Sequence, residues 1–236
     1  MKDFKVVGII SSPRHNGNTA TLVREGLRGA ESEGACVREV FLPKCNVNFC
    51  TGCFRCLTDG ECYFADDFKK IRDLLYGADG ILLGSPTYCG TYNALMKNCF
   101  ERLGMFEVMT SSLGGKYIAG ISAAGSATAA RKTAREMVSL VSTGVFRRGY
   151  ISGVFGVGFP KGKAASEDSM ALMRAYNVGK TLSRDIINGN RYPGQKLLAR
   201  LLNSIIVKPQ FVKYILKEKE CDTKAVYASL VQRGLL

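Results

Sequence analysis

Four closely spaced cysteines are the residues of this sequence with the most distinctive chemistry. They are Cys50, Cys53, Cys56 and Cys62, in the spacing C-x2-C-x2-C-x5-C. Two intervening residues let successive thiolates reach neighbouring corners of one small inorganic core, as in proteins that ligate iron-sulfur clusters. Structural zinc sites more often pair two cysteine knuckles across a longer stretch. The spacing therefore favours a 4Fe-4S cluster, with a zinc site, thiol chemistry and a loop without metal as alternatives.

The other cysteines bear on the redox compartment. The chain has nine cysteines, an odd number, and no targeting segment precedes the first apolar run. A disulfide framework uses paired cysteines and an oxidising compartment, so we predict free thiols and a cytoplasmic protein. Four cysteines stand alone and are predicted to be small buried residues. These are Cys36, Cys89, Cys99 and Cys221.

Length and charge narrow the class of protein. The chain has 236 residues and is 46% hydrophobic, which is enough for one substantial domain with its own core. It carries 33 basic and 20 acidic side chains, and residues 147–236 hold 16 basic against 6 acidic ones, which is +10 of the net +13. No motif that reads nucleic acid and no apolar stretch of membrane-spanning length accompanies this charge. We therefore expect neither nucleic-acid binding nor contact with a membrane.

Strand and helix patterns alternate along the first 190 residues. Short apolar runs typical of buried parallel strands cover 4–10, 37–42, 80–84, 117–122 and 151–158. Helical periodicity covers 18–33, 66–76, 91–103, 126–142 and 166–188. Alternation of this kind predicts a doubly wound α/β domain, with a parallel sheet between two layers of helices. We assign residues 1–190 to this domain, with a cysteine-rich loop at 45–62.

The loop after the first strand has the composition of a phosphate site. In such sheets ligands bind outside the carboxyl ends of the strands, and this loop reads Ser-Ser-Pro-Arg-His-Asn-Gly-Asn-Thr before a helix. Backbone N–H groups at a helix start hold anions. Ser12, Asn18 and Thr19 would add hydrogen bonds, and Arg14 would add a positive charge. The loop matches neither G-x-x-x-x-G-K-S/T nor G-x-G-x-x-G, so a Walker-type site and an ordinary dinucleotide fingerprint are not supported.

The loop after the third strand completes a motif that resembles a known family. It reads S-P-x-Y-x-G-x-x-x-A-x-x-K-x-x-x-E-R over residues 85–102, and S-P-R-x-x-G-N-T stands after the first strand. Together these motifs resemble the flavodoxin-like NADPH-dependent FMN reductases. With the four cysteines in the loop after the second strand, the chain resembles the iron-sulfur flavoprotein branch of that family. The resemblance covers residues 4–190 and implies a five-stranded sheet of strand order 2-1-3-4-5.

The resemblance implies an FMN site at the ends of three strands. The first loop would hold the FMN phosphate, the loop after the third strand would run along the flavin ring, and the small residues after the fourth strand would approach its pyrimidine end. The implied residues are Ser12, Arg14, Asn16, Asn18, Thr19, Pro86, Thr87, Tyr88, Gly90, Ser122, Ala123 and Gly125. We expect Tyr88 to stack on the ring. Lys97 and Arg102, on the following helix, are expected to form surface ion pairs.

The implied function is electron transfer by an FMN-dependent oxidoreductase. A flavin takes electrons as a pair and releases them singly, and a four-iron cluster carries one at a time. NAD(P)H or ferredoxin is the implied donor, the chain is expected to form a dimer or tetramer, and no side chain is assigned as catalytic. We expect the thiols and the FMN to share one crevice rim. The alternatives are an NAD(P)H-dependent FMN or quinone reductase without a cluster, and a non-catalytic flavin-binding or zinc-binding module.

The last residues form a basic extension outside the resemblance. Residues 191–236 place apolar side chains at helical spacing before Pro209, which predicts two short amphipathic helices separated at the proline. The stripe consists of Leu197, Leu198, Leu201, Leu202, Ile205 and Ile206, with Lys196 and Arg200 beside it. Three roles are open for this apolar face, which are covering the core, pairing subunits and, as the least favoured, lying on an anionic membrane.

Overall fold

A β-sheet between two layers of helices forms the centre of the computed structural model, which describes residues 3–139, 145–146, 149–192, 195 and 197–236. Its strands are β1 (Lys5–Ile10), β2 (Cys36–Phe41), β3 (Gly80–Tyr88), β4 (Thr91–Tyr92), β5 (Tyr117–Ala124) and β6 (Tyr150–Gly158). Five strands are parallel in the order β2-β1-β3-β5-β6, and the short β4 pairs antiparallel with the end of β3. The predicted flavodoxin-like sheet is therefore confirmed, with β5 and β6 as its fourth and fifth strands.

Strand β3 is longer than predicted and ends in a hairpin. It continues past Gly84 because the next residues pair with β5, Ser85 opposite Ser122 and Pro86 opposite Ala123. Tyr88 then pairs with Thr91 across a two-residue turn. Both turn residues have positive φ, 49° at Cys89 and 81° at Gly90, which is the turn geometry that suits the twist of a hairpin. The predicted loop after the third strand is therefore partly strand.

Six helices cover the sheet or connect its strands. They are α1 (Asn18–Glu31), α2 (Arg55–Asp59), α3 (Phe68–Gly77), α4 (Ala94–Thr110), α5 (Ala127–Ser139) and α6 (Ser169–Asn188). Buried side chains of α3, α4 and α5 form one core with the sheet, and those of α1 and α6 form a second core on the other face. Burial of apolar surface on both faces stabilises a parallel sheet. Residues 140–142 of the helix predicted over 126–142 lie outside the described residues.

Helices α1 and α6 pack backbone against backbone. A β-carbon built on Gly179 of α6 would lie 1.7 Å from the carbonyl oxygen of Gly26, and one built on Gly29 of α1 would lie 2.0 Å from the carbonyl oxygen of Tyr176. No side chain fits at such distances, so glycine is required at both positions for the close approach. The contact fixes the position of α1, and α1 begins directly after the predicted phosphate loop.

Helix α4 extends beyond the predicted residues 91–103 and bends at Gly104. Asn93 caps its start by accepting a hydrogen bond from the Met96 N–H at 3.2 Å. Gly104 adopts φ 32° and ψ −130°, which no helix contains, and the helix resumes to end at Thr110. Glycine tolerates this conformation better than other residues. The bend lies beside the segment that carries Cys50, Cys53, Cys56 and Cys62.

The C-terminal extension contains three helices rather than the predicted two. They are α7 (Leu197–Leu202), α8 (Lys208–Glu218) and α9 (Lys224–Gln232), and a π-helical turn, Asn203–Val207, joins the first two. The predicted break at Pro209 is wrong, because the proline lies in the first turn of α8, where a missing N–H costs little. Within the described residues no helix is both long enough and apolar enough to cross a lipid bilayer.

The two parts of the extension differ in burial. Leu198 is 72% exposed, Leu201 50% and Ile205 72%, so these side chains do not cover the chain's own core, which was one of the three roles left open for the apolar face. Side chains farther along form a third core instead, with Ile215, Val226 and Leu230 buried against Leu57 of α2. The second part of the extension, α8 and α9, therefore packs against α2 in the cysteine segment. Lys196 and the side chains of Leu197 and Arg200 lie outside the described residues.

The isolated cysteines are mostly not buried. Cys99 of α4 is buried as predicted, but Cys36, Cys89 and Cys221 are exposed. Cys36 begins the edge strand β2, and Cys89 lies in the hairpin turn, positions where the backbone holds the side chain away from any core. The prediction of burial is therefore wrong for these three residues.

Candidate functional site

A cavity of about 350 Å³ lies at the carboxyl ends of β1, β3, β5 and β6. This is the edge of the sheet at which doubly wound folds bind their ligands. The lining residues come from four loops: Ser12, Arg14, Asn18, Thr19, Pro86, Thr87, Tyr88, Ala123, Ala124, Gly125, Phe159, Pro160, Lys161, Gly162 and Lys163. The topology therefore brings nine of the twelve predicted cofactor residues to one cavity.

The other three predicted residues stand outside the cavity lining. Asn16 lies on the outer side of its loop, where its side-chain oxygen is 2.9 Å from Nδ1 of His15. The Ser122 hydroxyl is fully buried, 3.1 Å from the Thr87 hydroxyl, behind the cavity wall. Gly90 supplies the positive φ of the hairpin turn. These roles differ from direct contact with a ligand in this cavity.

One end of the cavity has the chemistry of an anion site. Helix α1 starts after Gly17, which offers no side-chain acceptor to the helix, and its first turn contains no acidic residue. The first N–H groups of a helix lack intrahelical partners and favour an anion. Arg14, Lys161 and Lys163 add positive charge, and no acidic side chain is among the described lining residues. A phosphate group fits this donor set.

Asn18 ties the phosphate loop to the loop after β6. Its Nδ2 donates to the Lys163 carbonyl at 3.2 Å, and its Oδ1 accepts from the Ala165 N–H at 3.0 Å. This second loop, Phe159 to Lys163, forms a wall of the cavity that was not predicted from the sequence. The signal was present, because the loop follows a parallel strand at its carboxyl end and holds two lysines around a glycine.

The opposite wall carries the residues predicted to face a flavin ring. Tyr88 is 48% exposed at the cavity edge. The Thr87 hydroxyl donates to the Thr133 hydroxyl at 3.0 Å, which fixes this wall to α5. A β-carbon on Gly125 would meet no atom within 4 Å, so packing does not require glycine there and the open space is left for a ligand.

Asn93 is a positioning residue that sequence reasoning missed. Its Nδ2 donates to the Ser11 carbonyl at 2.6 Å, and its backbone N–H donates to the Ser85 hydroxyl at 3.0 Å. The same side chain caps α4. It is buried, and it joins the ends of β1 and β3 at the cavity floor. A polar residue directly before a helix predicts a cap, but not these contacts with the two strands.

The four cysteines of the predicted cluster motif line a second cavity, of about 430 Å³. Cys50, Cys53, Cys56 and Cys62 share it with residues of the second half of α4, including Arg102, Gly104 and Met105. No disulfide links them. Among the described residues no three His, Cys, Asp or Glu side chains lie close enough to hold one metal ion. The thiols thus border a space larger than a single ion rather than converge on a point.

Cys56 is the innermost of the four thiols. Burial raises its pKa, and the neighbouring Cys62, Cys53 and Cys50 raise it further, whereas a hydrogen bond from the Phe106 backbone N–H opposes the shift. The other three thiols therefore lie close enough to Cys56 to disfavour a negative charge on its sulfur. Such a group of thiols would gain from a cation, since thiolates are the ligating form.

Arg102 corrects the expectation of surface ion pairs on α4. Lys97 does pair with Glu101 on the exposed side of the helix. Arg102 instead forms a buried ion pair with Asp66, 2.7 Å from NH1 to Oδ2, and each side chain is 1% exposed. Burial would raise the pKa of Asp66, but hydrogen bonds from Arg102 and from the Asn48 and Phe68 N–H groups lower it to about 2. The pair is charged and internal.

The two cavities are separate in one chain. Among the described residues they share no lining residue. Helix α4 connects them, because it begins at Asn93 beside the first cavity and lines the second with its carboxyl half. The expectation of one shared crevice rim is therefore wrong for a single copy of the chain.

A known protein family matches most of the sheet domain. Residues 4–158 match the family described as NADPH-dependent FMN reductase. The chain belongs to this family. The family's matched segment contains the phosphate loop, the hairpin and the cysteine segment, but ends at β6 and leaves out the lysine loop and the extension. The family assignment supports FMN as a cofactor of this chain.

Curated relatives of this chain carry the predicted branch name. An iron-sulfur flavoprotein of Methanocaldococcus jannaschii is 37% identical over 122 residues, 50% of this chain and 63% of that protein. One of Archaeoglobus fulgidus is 36% identical over 100 residues, 42% of this chain and 46% of that protein. The chain thus spans about half the length of these relatives. A flavone reductase structure has a TM-score of 0.62 at 20% identity, covering 80% of this chain and 65% of that one, which shows the shared fold.

Proposed function

We propose that the protein is an FMN-dependent oxidoreductase that passes electrons from NAD(P)H or ferredoxin, through FMN and a 4Fe-4S cluster, to an acceptor. The observation that carries the proposal is the pairing of a basic cavity at the strand ends with a second cavity bordered by four thiols. FMN supplies the exchange between paired and single electrons, and the cluster supplies single-electron transfer.

Different residues of the chain would bind the two cofactors, FMN in the first cavity and the cluster in the second. The start of α1 with Arg14, Lys161 and Lys163 would bind the phosphate, and the hairpin with Tyr88 would orient the ring. The thiolates of Cys50, Cys53, Cys56 and Cys62 would hold the cluster. The spacing of the four cysteines supports a cluster rather than one zinc ion, since structural zinc sites more often pair two cysteine knuckles across a longer stretch.

Anaerobic reconstitution with iron and sulfide tests the proposal. We expect FMN, iron and sulfide to remain bound after gel filtration, with absorption from both groups. Mixing with NADPH and with reduced ferredoxin in turn then identifies the donor, because only the competent one bleaches the flavin. FMN without iron would contradict the cluster and leave an NAD(P)H-dependent FMN or quinone reductase. Zinc without FMN would contradict the oxidoreductase itself.

Cys53→Ala separates the two sites. We expect it to lose iron and sulfide while FMN stays bound, because no residue lines both cavities. Cys36→Ala is the matched control, since Cys36 is an exposed cysteine on the edge strand β2. Equal loss of iron in both variants, or joint loss of FMN and iron in Cys53→Ala, would contradict separate sites.

A further inference from the structure

The cysteine segment is closed at its base by a buried network around Asp66. Asp66 Oδ2 accepts from the Asn48 backbone N–H at 2.9 Å and from its side-chain Nδ2 at 3.0 Å. NH1 of Arg102 donates to the Asn48 carbonyl at 2.7 Å and to Asp66 Oδ2 at 2.7 Å. Asn48 precedes the first cysteine and Asp66 follows the last one. We call Asn48, Asp66 and Arg102 the loop neck.

The loop neck does not use Nε of Arg102. The residue is 6% exposed, and its guanidinium stacks near the rings of Phe64 and Phe68, 5.1 and 4.6 Å from their centroids. Its Nε is buried and has no hydrogen-bond partner among the described residues. A buried charged donor without an acceptor is costly, so such an atom indicates a partner supplied by something bound.

The guanidinium lies beside the cysteine cavity. Arg102 lines that cavity together with Cys62. Of the four cysteines, Cys62 lies nearest along the chain to Phe64 and Asp66, which both contact the guanidinium. A thiolate at Cys62 would accept the hydrogen bond that Nε lacks.

We propose that Arg102 is a positioning residue of the cysteine site, which closes the loop neck through NH1 and NH2 and donates from Nε to the sulfur of Cys62 when that sulfur ligates a cluster. The inference rests on the proposed function. Hydrogen bonds to cluster sulfurs and nearby positive charge raise the reduction potential. Residues that hydrogen-bond to metal ligands also hold those ligands in place, and their loss typically weakens metal binding about 10-fold to 100-fold.

The test compares three variants of the full chain after anaerobic reconstitution. Arg102→Gln removes the charge, Arg102→Lys keeps the charge without the planar fork, and Arg55→Gln is the matched control. Arg55 lies on the same segment, but its side chain is 61% exposed and pairs only with Asp59 among the described carboxylates. Iron and sulfide per chain, the cluster's reduction potential in an anaerobic dye titration, and bound FMN are measured for each.

We expect Arg102→Gln to shift the cluster potential to more negative values and to release iron to a chelator about tenfold faster or more. Arg102→Lys should recover most of the potential but not the retention, whereas Arg55→Gln should retain iron like the wild type and shift the potential less, because the Arg55 charge is exposed to solvent. Bound FMN should be equal in all, which shows that the sheet domain is intact. If Arg102→Gln does not fold, the potential and retention of Arg102→Lys decide.

Two results would overturn the inference. One is an Arg102→Gln protein with wild-type potential and retention, and the other is an equal shift in Arg55→Gln. Either leaves the proposed function standing, because the wild type would still carry the cluster. A wild-type protein that binds FMN but retains no iron would instead overturn the cluster itself, and the inference with it.

Discussion

At the scale of single residues, the amide of Asn18 determines whether the phosphate end of the first cavity is closed. It is the side chain that joins the loop after β1 to the loop after β6, through the carbonyl of Lys163 and the N–H of Ala165. Its position therefore matters in two ways, because it borders the anion site and holds the lysine loop against it.

Asn18→Asp is expected to weaken FMN binding. The new carboxylate would repel the phosphate and the Lys163 carbonyl that now accepts from Nδ2. We expect the FMN dissociation constant to rise about tenfold or more, measured by flavin fluorescence titration. Asn16→Asp adds the same charge to the same loop outside the cavity, so its effect should be smaller. Unchanged affinity in Asn18→Asp would remove this loop from the site.

The residue scale also shows what sequence could predict. The nine predicted residues in the first cavity had two sources: strand ends of a parallel sheet meet at one edge, which selects the loops, and the resemblance to the FMN reductases implied which residues of those loops take part. The Asp66–Arg102 pair joins residues 36 positions apart, and no local pattern distinguishes it from the exposed pair of Lys97 and Glu101. Burial of a charged pair depends on tertiary packing, which periodicity does not contain.

At the scale of secondary structure, the closest contact in the fold is between α1 and α6. Patterning predicted both helices, but not that Gly26, Gly29 and Gly179 would let their backbones touch. Glycine has a low intrinsic helix propensity, so a glycine within a helical pattern predicts a less stable helix. Here it is required, and the requirement appears only when the partner helix is known.

Gly179→Ala is expected to destabilise the protein by about 3 kcal/mol, because the methyl group would overlap the Gly26 carbonyl and force the helices apart. Gly77→Ala is the control, an exposed helical glycine whose β-carbon would meet nothing within 4 Å. Urea denaturation measures both. Since α1 carries the phosphate loop, FMN affinity should also fall in Gly179→Ala. Equal stability of the two variants would contradict the close contact.

In the C-terminal extension, the sequence predicted that helices form but not where they end or which faces they bury. Its apolar periodicity predicted helices correctly in type, yet the proline did not separate them, and α9 was not expected. Pro209 reads as a break only if a helix must cross it, whereas here it starts a new turn. Which apolar face is buried was also not predictable, since Ile215 packs on the cysteine segment while Leu198 and Ile205 face solvent.

At the scale of the whole molecule, one buried carboxyl makes the stability of the fold depend on pH. Glu107, at the end of α4, is 7% exposed and accepts from the Leu113 N–H at 2.9 Å, and its other oxygen has no partner among the described residues. Burial raises its pKa from 4.5 to about 7, although Arg233 and Tyr76 oppose the shift. Helices α3 and α4 and the C-terminus meet there.

The native state therefore holds this proton more tightly than the unfolded state. Its contribution is fully present below about pH 4.5 and is lost as pH rises to about 7, a fall of about 3 kcal/mol in the free energy of unfolding. Glu107→Gln should remove this slope, whereas Glu101→Gln, exposed on the same helix, should keep it. Urea denaturation across this range measures the effect, and an unchanged slope in Glu107→Gln would contradict it.

The loop neck has a consequence for how this molecule is assembled. Besides Asn48 and Asp66, the Asp67 N–H donates to the Asn46 carbonyl at 3.0 Å, so the chain leaves and re-enters the sheet domain at one point. A short turn from Asn46 to Asp67 could replace the thiol-bearing stretch while the strands keep their pairing, but it would remove Leu57 from the core that buries Ile215, Val226 and Leu230. Excision of the stretch would therefore remove the proposed cluster ligands and uncover the extension together, and leave the cavity at the strand ends in place.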